Sequence, residues 1–447
     1  MAYEELAYIM LSYLGQKNVD EAVVIINEKT TRQIRFSNNV IMLHAIYNEV
    51  TVDVMFIKDN RMMVSSFNVA DPKIVKKGID NLIYLHAKVK PLEKYRPLPD
   101  KIGKYPEVSG GFDKSIVEVD PERLVDYIDV CIGSALEHGA RRVAGTLYCS
   151  YWKKHLTATN GVSVNDCGTH INLDVRAFVK KRQTGHYFTC ARRLSDFRPG
   201  KAGREAGIIS SMSDEVIKGK PGRYRVLLGK SAIGSLMNMF AYAISAFSVL
   251  SGQSFLKEKI GETVGPEILN VSDKPLSEGY LGARKFDDDG IPVSNHVLIE
   301  NGMLKTYVHN RVTAAQFDTE TTAHAGWITP MPWHLEISSG EHSDEELLEE
   351  VRDGLFVNNV TYIRFHNYIK GDFSAIVRDG VYAIEDGEIV GRVKGLRMDS
   401  NLLEILKNVR AIGKDSEQIF HWWMEFNVPV TAPKIVVDDV GFSVATM

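Results

Sequence analysis

At 447 residues the chain is long for one hydrophobic core and comfortable for two or three domains. Its apolar share of 44% and charged share of 25% are ordinary for a globular protein, which excludes a fibrous or disordered chain. A formal charge of −4, with the two signs mixed along the chain, does not indicate a strongly basic face for nucleic acid.

The chain opens on an amphipathic helix through Leu6, Ile9, Met10, Tyr13 and Leu14 that stops at Gly15. No basic-then-apolar export signal precedes it. Residues 22–27 form a short apolar strand, and QIRFS, VIMLHAIY, EVTVDVMFI and RMMVSSF read as a strand meander. Its turns fall at Asn38-Asn39 and Asp59-Asn60. Asp71-Pro72 supplies an N-cap and an N1 proline for a helix to about Lys88. Residues 91–111, rich in proline and glycine, read as a linker or surface crossover.

The same grammar then repeats. Asp120-Pro121 starts a helix closed by Gly139, strands follow around Asn160-Gly161, and a helix runs from about Gly203 to Lys218. The turns at 37–40 and 159–162 sit at similar places, which reads as a duplicated helix–meander–helix unit. Four cysteines, Cys131, Cys149, Cys167 and Cys190, fall in this region without a CxxC pair. The spacing leaves a disulfide open, but reduced, mostly buried thiols in a cytoplasmic protein are the preferred reading.

After a strand at RYRVLL comes the stretch Lys230–Asp273. It carries no charge between Lys230 and Lys257 and is apolar on nearly every face, the pattern of a helix buried on all sides. Six serines, Asn238 and Gln253 interrupt the uncharged run between Lys230 and Lys257, so a core helix is preferred to a membrane span. Beyond it the chain is mainly β. Hairpins are expected at Asn301-Gly302 and Asp386-Gly387, a capping box at Ser343 and Glu346, and a cap at Ser400 for NLLEILKNV. The expected class is α+β: an α/β N-terminal domain, residues 1–222 (with units 1–90 and 112–222), and a domain at 223–447 of antiparallel sheet around the buried helix.

Four segments resemble the TldD/PmbA family, peptidase subunits of TldD and TldE type once called modulators of DNA gyrase. They are 251–275, 287–314, GDFSAIVRDGVYAIEDGEIVGRVKGLRM at 371–398, and NLLEILKNVRAIGKD at 401–415. Their order and spacing carry the resemblance, which covers most of the chain after about residue 225. In the TldD type the central helix carries His-Glu-x-x-x-His and a cysteine near the C-terminus completes a zinc site. Two imidazoles and a thiolate hold the ion, and the glutamate takes a proton from its water. Set in register on residues 234–243, the three helix positions fall on Asn238, Met239 and Ala243, and no cysteine follows Cys190. No zinc site is therefore expected, and no other cofactor. The resemblance implies the TldE/PmbA branch.

That branch implies in turn a non-catalytic subunit, inactive alone. It would pair with a TldD-type zinc-bearing subunit, or with itself as a homodimer, and hold a peptide in extended form. Nucleic acid and membrane are not expected partners. Gly326 and Pro332, in an irregular segment, and Gly371, Asp372, Phe373 and Ser374 are the candidate groove residues; a surface loop and a turn between strands explain them as well. The alternative is a metal-free homodimeric peptide-binding or scaffold protein.

His309, His324, His334, His366 and His421, with Asp372 and Glu425, could build a different metal site. No pair has ligand-like spacing, so hydrogen-bonded histidines are favoured. His170 and Asp174, four apart in a strand, read as a local pair. Arg176, Lys180, Lys181, Arg182, Arg192 and Arg193 read as a solvated face. Trp422 and Trp423 suit either a subunit contact or the core.

Overall fold

The computed structural model describes residues 3–180 and 183–445. Two helix–meander–helix units build its N-terminal half. The first is α1 (Tyr3–Gln16), β1 (Glu21–Ser37), β2 (Val40–Lys58), β3 (Arg61–Phe67) and α2 (Pro72–Leu85). The four short strands expected after residue 30 merge into two long ones and β3, because no glycine or proline lies between Glu21 and Phe67. The turns are left-handed at both central residues, Asn38 and Asn39 (φ 52° and 65°) and Asp59 and Asn60 (φ 50° and 58°), which matches hairpin twist. Asp71 caps α2 by accepting from the Lys73 amide.

The second unit is α3 (Lys114–Glu118), α4 (Pro121–Glu137), β4 (Arg142–Ala158), β5 (Ser163–Lys180), β6 (Gln183–Ala191) and α5 (Pro199–Ser211). The last helix starts and stops earlier than expected. Pro199 opens it, and residues 216–218 instead form a strand parallel to 392–394.

The two units share one six-stranded antiparallel sheet of order β3-β2-β1-β4-β5-β6. β1 and β4 pair from Val23↔Ala158 to Phe36↔Gly145, so the units meet symmetrically at the centre. Strand alternation then sorts the faces. Ala22, Val24 and Ile26 pack with α1 and α2, while Ile34 and Phe36, of the same parity, pack with α4 and α5. Val23, Ile25 and Leu156 point the other way, against Leu98 of the 91–111 segment and Phe286 of the C-terminal half.

The C-terminal half holds two sheets with a helix between them. α6 (Lys230–Ala243) touches Gly354–Asn367 of an eight-stranded sheet on one side. On the other it touches Glu417–Ile419 and Val430–Ala432 of a six-stranded sheet. Every residue of α6 except Tyr242 is buried, as its uniform apolarity requires. Gly234 lets the second sheet approach, since a Cβ there would lie 2.5 Å from Ile419 Cγ2. The apolar stretch does not continue as one helix: a short helix follows at Ala246–Leu250, and then irregular chain up to Val271. Among the described residues no helix is long and apolar enough to cross a membrane.

The expected hairpins form at Asn301-Gly302 (φ 48° and 76°) and Asp386-Gly387 (φ 47° and 81°). Ser343 and Glu346 make the capping box. The helix Leu402–Lys407 is capped by Asn401, which accepts from the Glu404 amide, rather than by Ser400.

Candidate functional site

A cleft of about 400 Å³ opens between the inner face of the N-terminal sheet and one end of the second C-terminal sheet. Its N-terminal wall follows from register. Lys29 of β1 lies opposite Trp152 of β4, and Trp152 lies opposite Gly168 of β5, so these share a face with His170, two residues further on. Gly168 is small because Trp152 and Arg192 fill its place: a Cβ would sit 2.3 Å from Arg192 Nη2 and 2.7 Å from Trp152 Cζ2.

The opposite wall follows from a parallel pair. Strands Leu335–Ile337 and Val430–Ala432 run side by side, so the segments before them, 331–333 and 426–429, leave the sheet at the same end. The turn 281–284 closes the wall. Arg192, buried just after β6, holds that turn by donating to the carbonyls of Leu281 and Ala283, each at 3.0 Å, and to Gly111 at 3.0 Å.

Behind this wall lies Asn238, fully buried on α6. Its Nδ2 donates to the carbonyls of Gly234 (3.1 Å) and Val428 (2.9 Å). Its Oδ1 accepts from the amides of Phe426 (3.2 Å) and Val428 (3.1 Å). Both donors and both lone pairs of the amide are thus used, and all four bonds go to backbone. Met239 and Ala243 are buried beside it in the hydrophobic core. A saturated amide, a thioether and a methyl group make no zinc donor set. Among the described residues, no three His, Cys, Asp or Glu side chains are placed to share a metal ion.

Of the groove candidates, Pro332 lines the cleft. Gly326 lies outside it, its carbonyl accepting from Asn310 Nδ2. Gly371 to Ser374 lie outside it too, and their groups are committed to the sheet. Asp372 and Phe373 pair with Asn401 and Ser400, the Gly371 amide donates to the Asn367 carbonyl, and Phe373 is fully buried. Ser374 Oγ accepts from Arg397.

The histidines are dispersed. His324 sits between Asp273 Oδ2 and Thr322 Oγ1, each at 2.8 Å. His334 accepts from the Gly282 amide (3.3 Å) and donates to Thr431 Oγ1 (2.8 Å). His421 donates to the Ser231 carbonyl (3.1 Å) and accepts from the Trp423 amide (3.2 Å). His366 is exposed. Burial pushes His334 down to about 3, and His309 and His421 down to about 4, so all three are neutral at physiological pH.

His170 and Asp174 are not the expected local pair. Asp174 faces His186 at 3.4 Å and is raised to about 7 by burial, while His170 faces the cleft. Nor is the basic run a solvated face. Arg176 is half-buried and donates to Asp379 at 2.8 Å, and Arg192 is enclosed; Arg193 and Lys180 are on the surface. Lys181 and Arg182 lie outside the described residues. Trp423 packs against the guanidinium groups of Arg176 and Arg378, and Trp422 is exposed beside it. The sequence reading missed Lys29, Trp152 and Arg284 of the cleft, since nothing in their local pattern marks them.

Two family models match the chain: the PmbA/TldA metallopeptidase central domain over residues 114–211 and its C-terminal domain over residues 221–444. A metalloprotease of Methanocaldococcus jannaschii is 35% identical over 213 residues, 45% of this chain and 46% of its own. A metalloprotease of Archaeoglobus fulgidus is 31% identical over 309 residues, 68% of this chain and 65% of its own. The chain thus spans about half to two thirds of the length of these two relatives. Among solved structures, a Thermotoga maritima protein described as a candidate modulator of a DNA gyrase superposes with a TM-score of 0.82 at 25% identity. That match covers 99% of this chain and all of the other. TldE of Thermococcus kodakarensis shares the fold, with a TM-score of 0.83 at 22% identity over 98% of this chain and all of its own.

Proposed function

The chain belongs to the PmbA/TldD metallopeptidase family, and from that premise we propose that it is a non-catalytic, metal-free subunit that holds peptide for a zinc-bearing TldD-type partner. The observation that carries this reading is Asn238. At the position where the TldD type places its first zinc ligand, this chain has an amide spent entirely on the backbone of the cleft wall. The chemistry has been exchanged for a clamp, and the cleft in front of it remains open. An open cleft whose imidazole, His170, has no carboxylate or thiol beside it among the described lining residues suits binding rather than bond cleavage.

The test is a native pull-down of the chain from its own cells, with partners identified by mass spectrometry. Zinc content and peptide hydrolysis would be measured on the isolated chain and on whatever assembly is recovered. A near-stoichiometric companion carrying His-Glu-x-x-x-His, with zinc and activity confined to the assembly, is the expected result. Stoichiometric zinc together with hydrolysis by the chain alone would overturn the reading. Recovery of a homodimer without zinc or activity would move the assignment to a peptide-binding scaffold.

A further inference from the structure

The side chains lining the cleft carry one sign of charge. Lys29 and Arg284 are cationic, His170 is the third titratable group, and among the described residues no aspartate or glutamate lines it. Among the described residues neither Lys29 nor Arg284 makes an ion pair; Arg284 Nε donates only to the Gly282 carbonyl at 3.3 Å. The charges of Asp288, Asp166, Asp273 and Asp287 act on Arg284, but each carboxylate is hydrogen-bonded or paired to other groups. Asp273 accepts from the amides of Trp333 and His334 and from His324. Asp287 accepts from the amides of Asp289, Ile291 and Ala325. Asp166 accepts from the amides of Cys167 and Lys285, and Asp288 is paired with Lys154. Arg192, one layer behind, spends its donors on neutral carbonyls, with the charge of Asp166 acting on it.

The guanidinium of Arg284 is also pre-positioned. It stacks on the Trp333 ring with Cζ 3.6 Å from the centroid, which fixes its plane and leaves its terminal nitrogens for a planar anion. Flat apolar surface lies alongside, from Trp152, Phe420 and Phe426 with Met331. A half-buried, unpaired cation on an aromatic shelf fits a ligand that is a carboxylate at one end and apolar next to it.

Resting on the peptide-holding reading, we infer that this cleft receives the free C-terminal carboxylate of a peptide, taken by Arg284 with Lys29, and prefers a large apolar last residue. His170 supports this without competing: burial, then the charges of Lys29 and Arg192, hold it down to about 3, so it is a neutral donor or acceptor at the mouth of the site. The substrate class is then short peptides presented end-first, not internal loops of folded proteins.

The test uses the full chain, in whichever assembly the pull-down returns. Two peptides ending in phenylalanine, one as the free acid and one as the C-terminal amide, are titrated while tryptophan fluorescence and heat are followed. The acid is expected to bind at least tenfold more tightly than the amide. Arg284→Gln should bring the acid down to the affinity of the amide, and Lys29→Gln should reduce the preference partly. Equal binding of acid and amide overturns the carboxylate site and leaves the peptide reading standing. Binding of neither overturns both. If Arg284→Gln weakens both peptides equally, with an unchanged unfolding midpoint, Arg284 shapes the wall rather than reading the carboxylate, and the inference falls. A free aliphatic carboxylate that binds as tightly as the peptide acid would overturn the peptide as occupant.

Discussion

Asn238 holds Val428 from both sides of its peptide backbone, donating to its carbonyl at 2.9 Å and accepting from its amide at 3.1 Å. A side chain that bonds one residue in this closed, two-way manner imitates a strand partner. Here it joins a buried helix to the cleft wall, and several consequences can be measured.

Removing the clamp should loosen the wall and lower stability. Asn238→Ala takes this partner from the amides of Phe426 and Val428 and from the Val428 carbonyl, while the Gly234 carbonyl keeps its helical bond. Each such group costs about 1–3 kcal/mol, reduced where neighbours relax. Asn238→Asp should be similarly damaging, because it still accepts but confronts the Gly234 and Val428 carbonyls with a carboxylate. Urea midpoints at constant slope are the measurement. Asn238→His should gain no stoichiometric zinc, since Met239 and Ala243 remain, which metal analysis after dialysis would check.

Acid should destabilise the fold well above the carboxylate range. Burial holds His170, His186 and His334 at about 3 and His309 and His421 at about 4 in the folded chain. Unfolded, each would titrate near 6.5. Between those values the unfolded chain binds more protons, so stability rises with pH across roughly 4 to 6.5 and is lost as pH falls through that window. Asp174, raised to about 7, acts in the opposite sense between its unfolded value and 7, because there the folded form holds the extra proton. Asp53 and Asp287, also raised by burial, act as Asp174 does, and His296, lowered by burial, acts with the other imidazoles; six imidazoles then oppose three carboxyls, and each net proton is worth about 1.4 kcal/mol per pH unit. Replacing His334 by Gln should lower the slope of stability against pH by one proton; an unchanged slope would show that this ring is charged in the folded chain.

The two halves are joined by a buried ion triad. Arg311 donates to Glu21 of β1 at 2.8 Å and to Asp289 at 3.1 Å, with all three side chains enclosed. Arg311→Ala strands two buried carboxylates and should cost about 3–5 kcal/mol. Adding Glu21→Gln to that variant should recover part of the loss, because one stranded charge is gone. A double-mutant cycle by denaturant unfolding measures the coupling.

Thiol reactivity should be graded by burial. Cys131, Cys149 and Cys190 are buried, and desolvation raises all three, Cys131 to about 12. Cys167 alone is partly exposed, and none of the four is in a disulfide. A thiol reagent should label one site in the native chain and four in denaturant, with peptide mapping placing the native label on Cys167.

Local signals decided much of this protein. Asn38-Asn39, Asp386-Gly387 and the Ser343–Glu346 box formed where their chemistry placed them, because a turn or cap depends on neighbours within a few residues. The unbroken apolarity around Leu236 and Phe240 announced a helix buried on all sides, since nothing but a core can surround such a segment. The family resemblance, carried by segments 251–275 through 401–415, holds for the same chain.

Tertiary structure alone decided the rest. That Asn238 is a clamp rather than a vacancy depends on Phe426 and Val428, about 190 residues away, reaching it through a parallel strand pair that no local pattern encodes. That Lys29, His170 and Arg284 share one cleft depends on the register of β1, β4 and β5 and on Arg192 holding the 281–284 turn. Sequence spacing reports what a residue meets within a turn or a strand. What a side chain meets across sheets is set by which buried faces find each other, and only the folded chain contains that information.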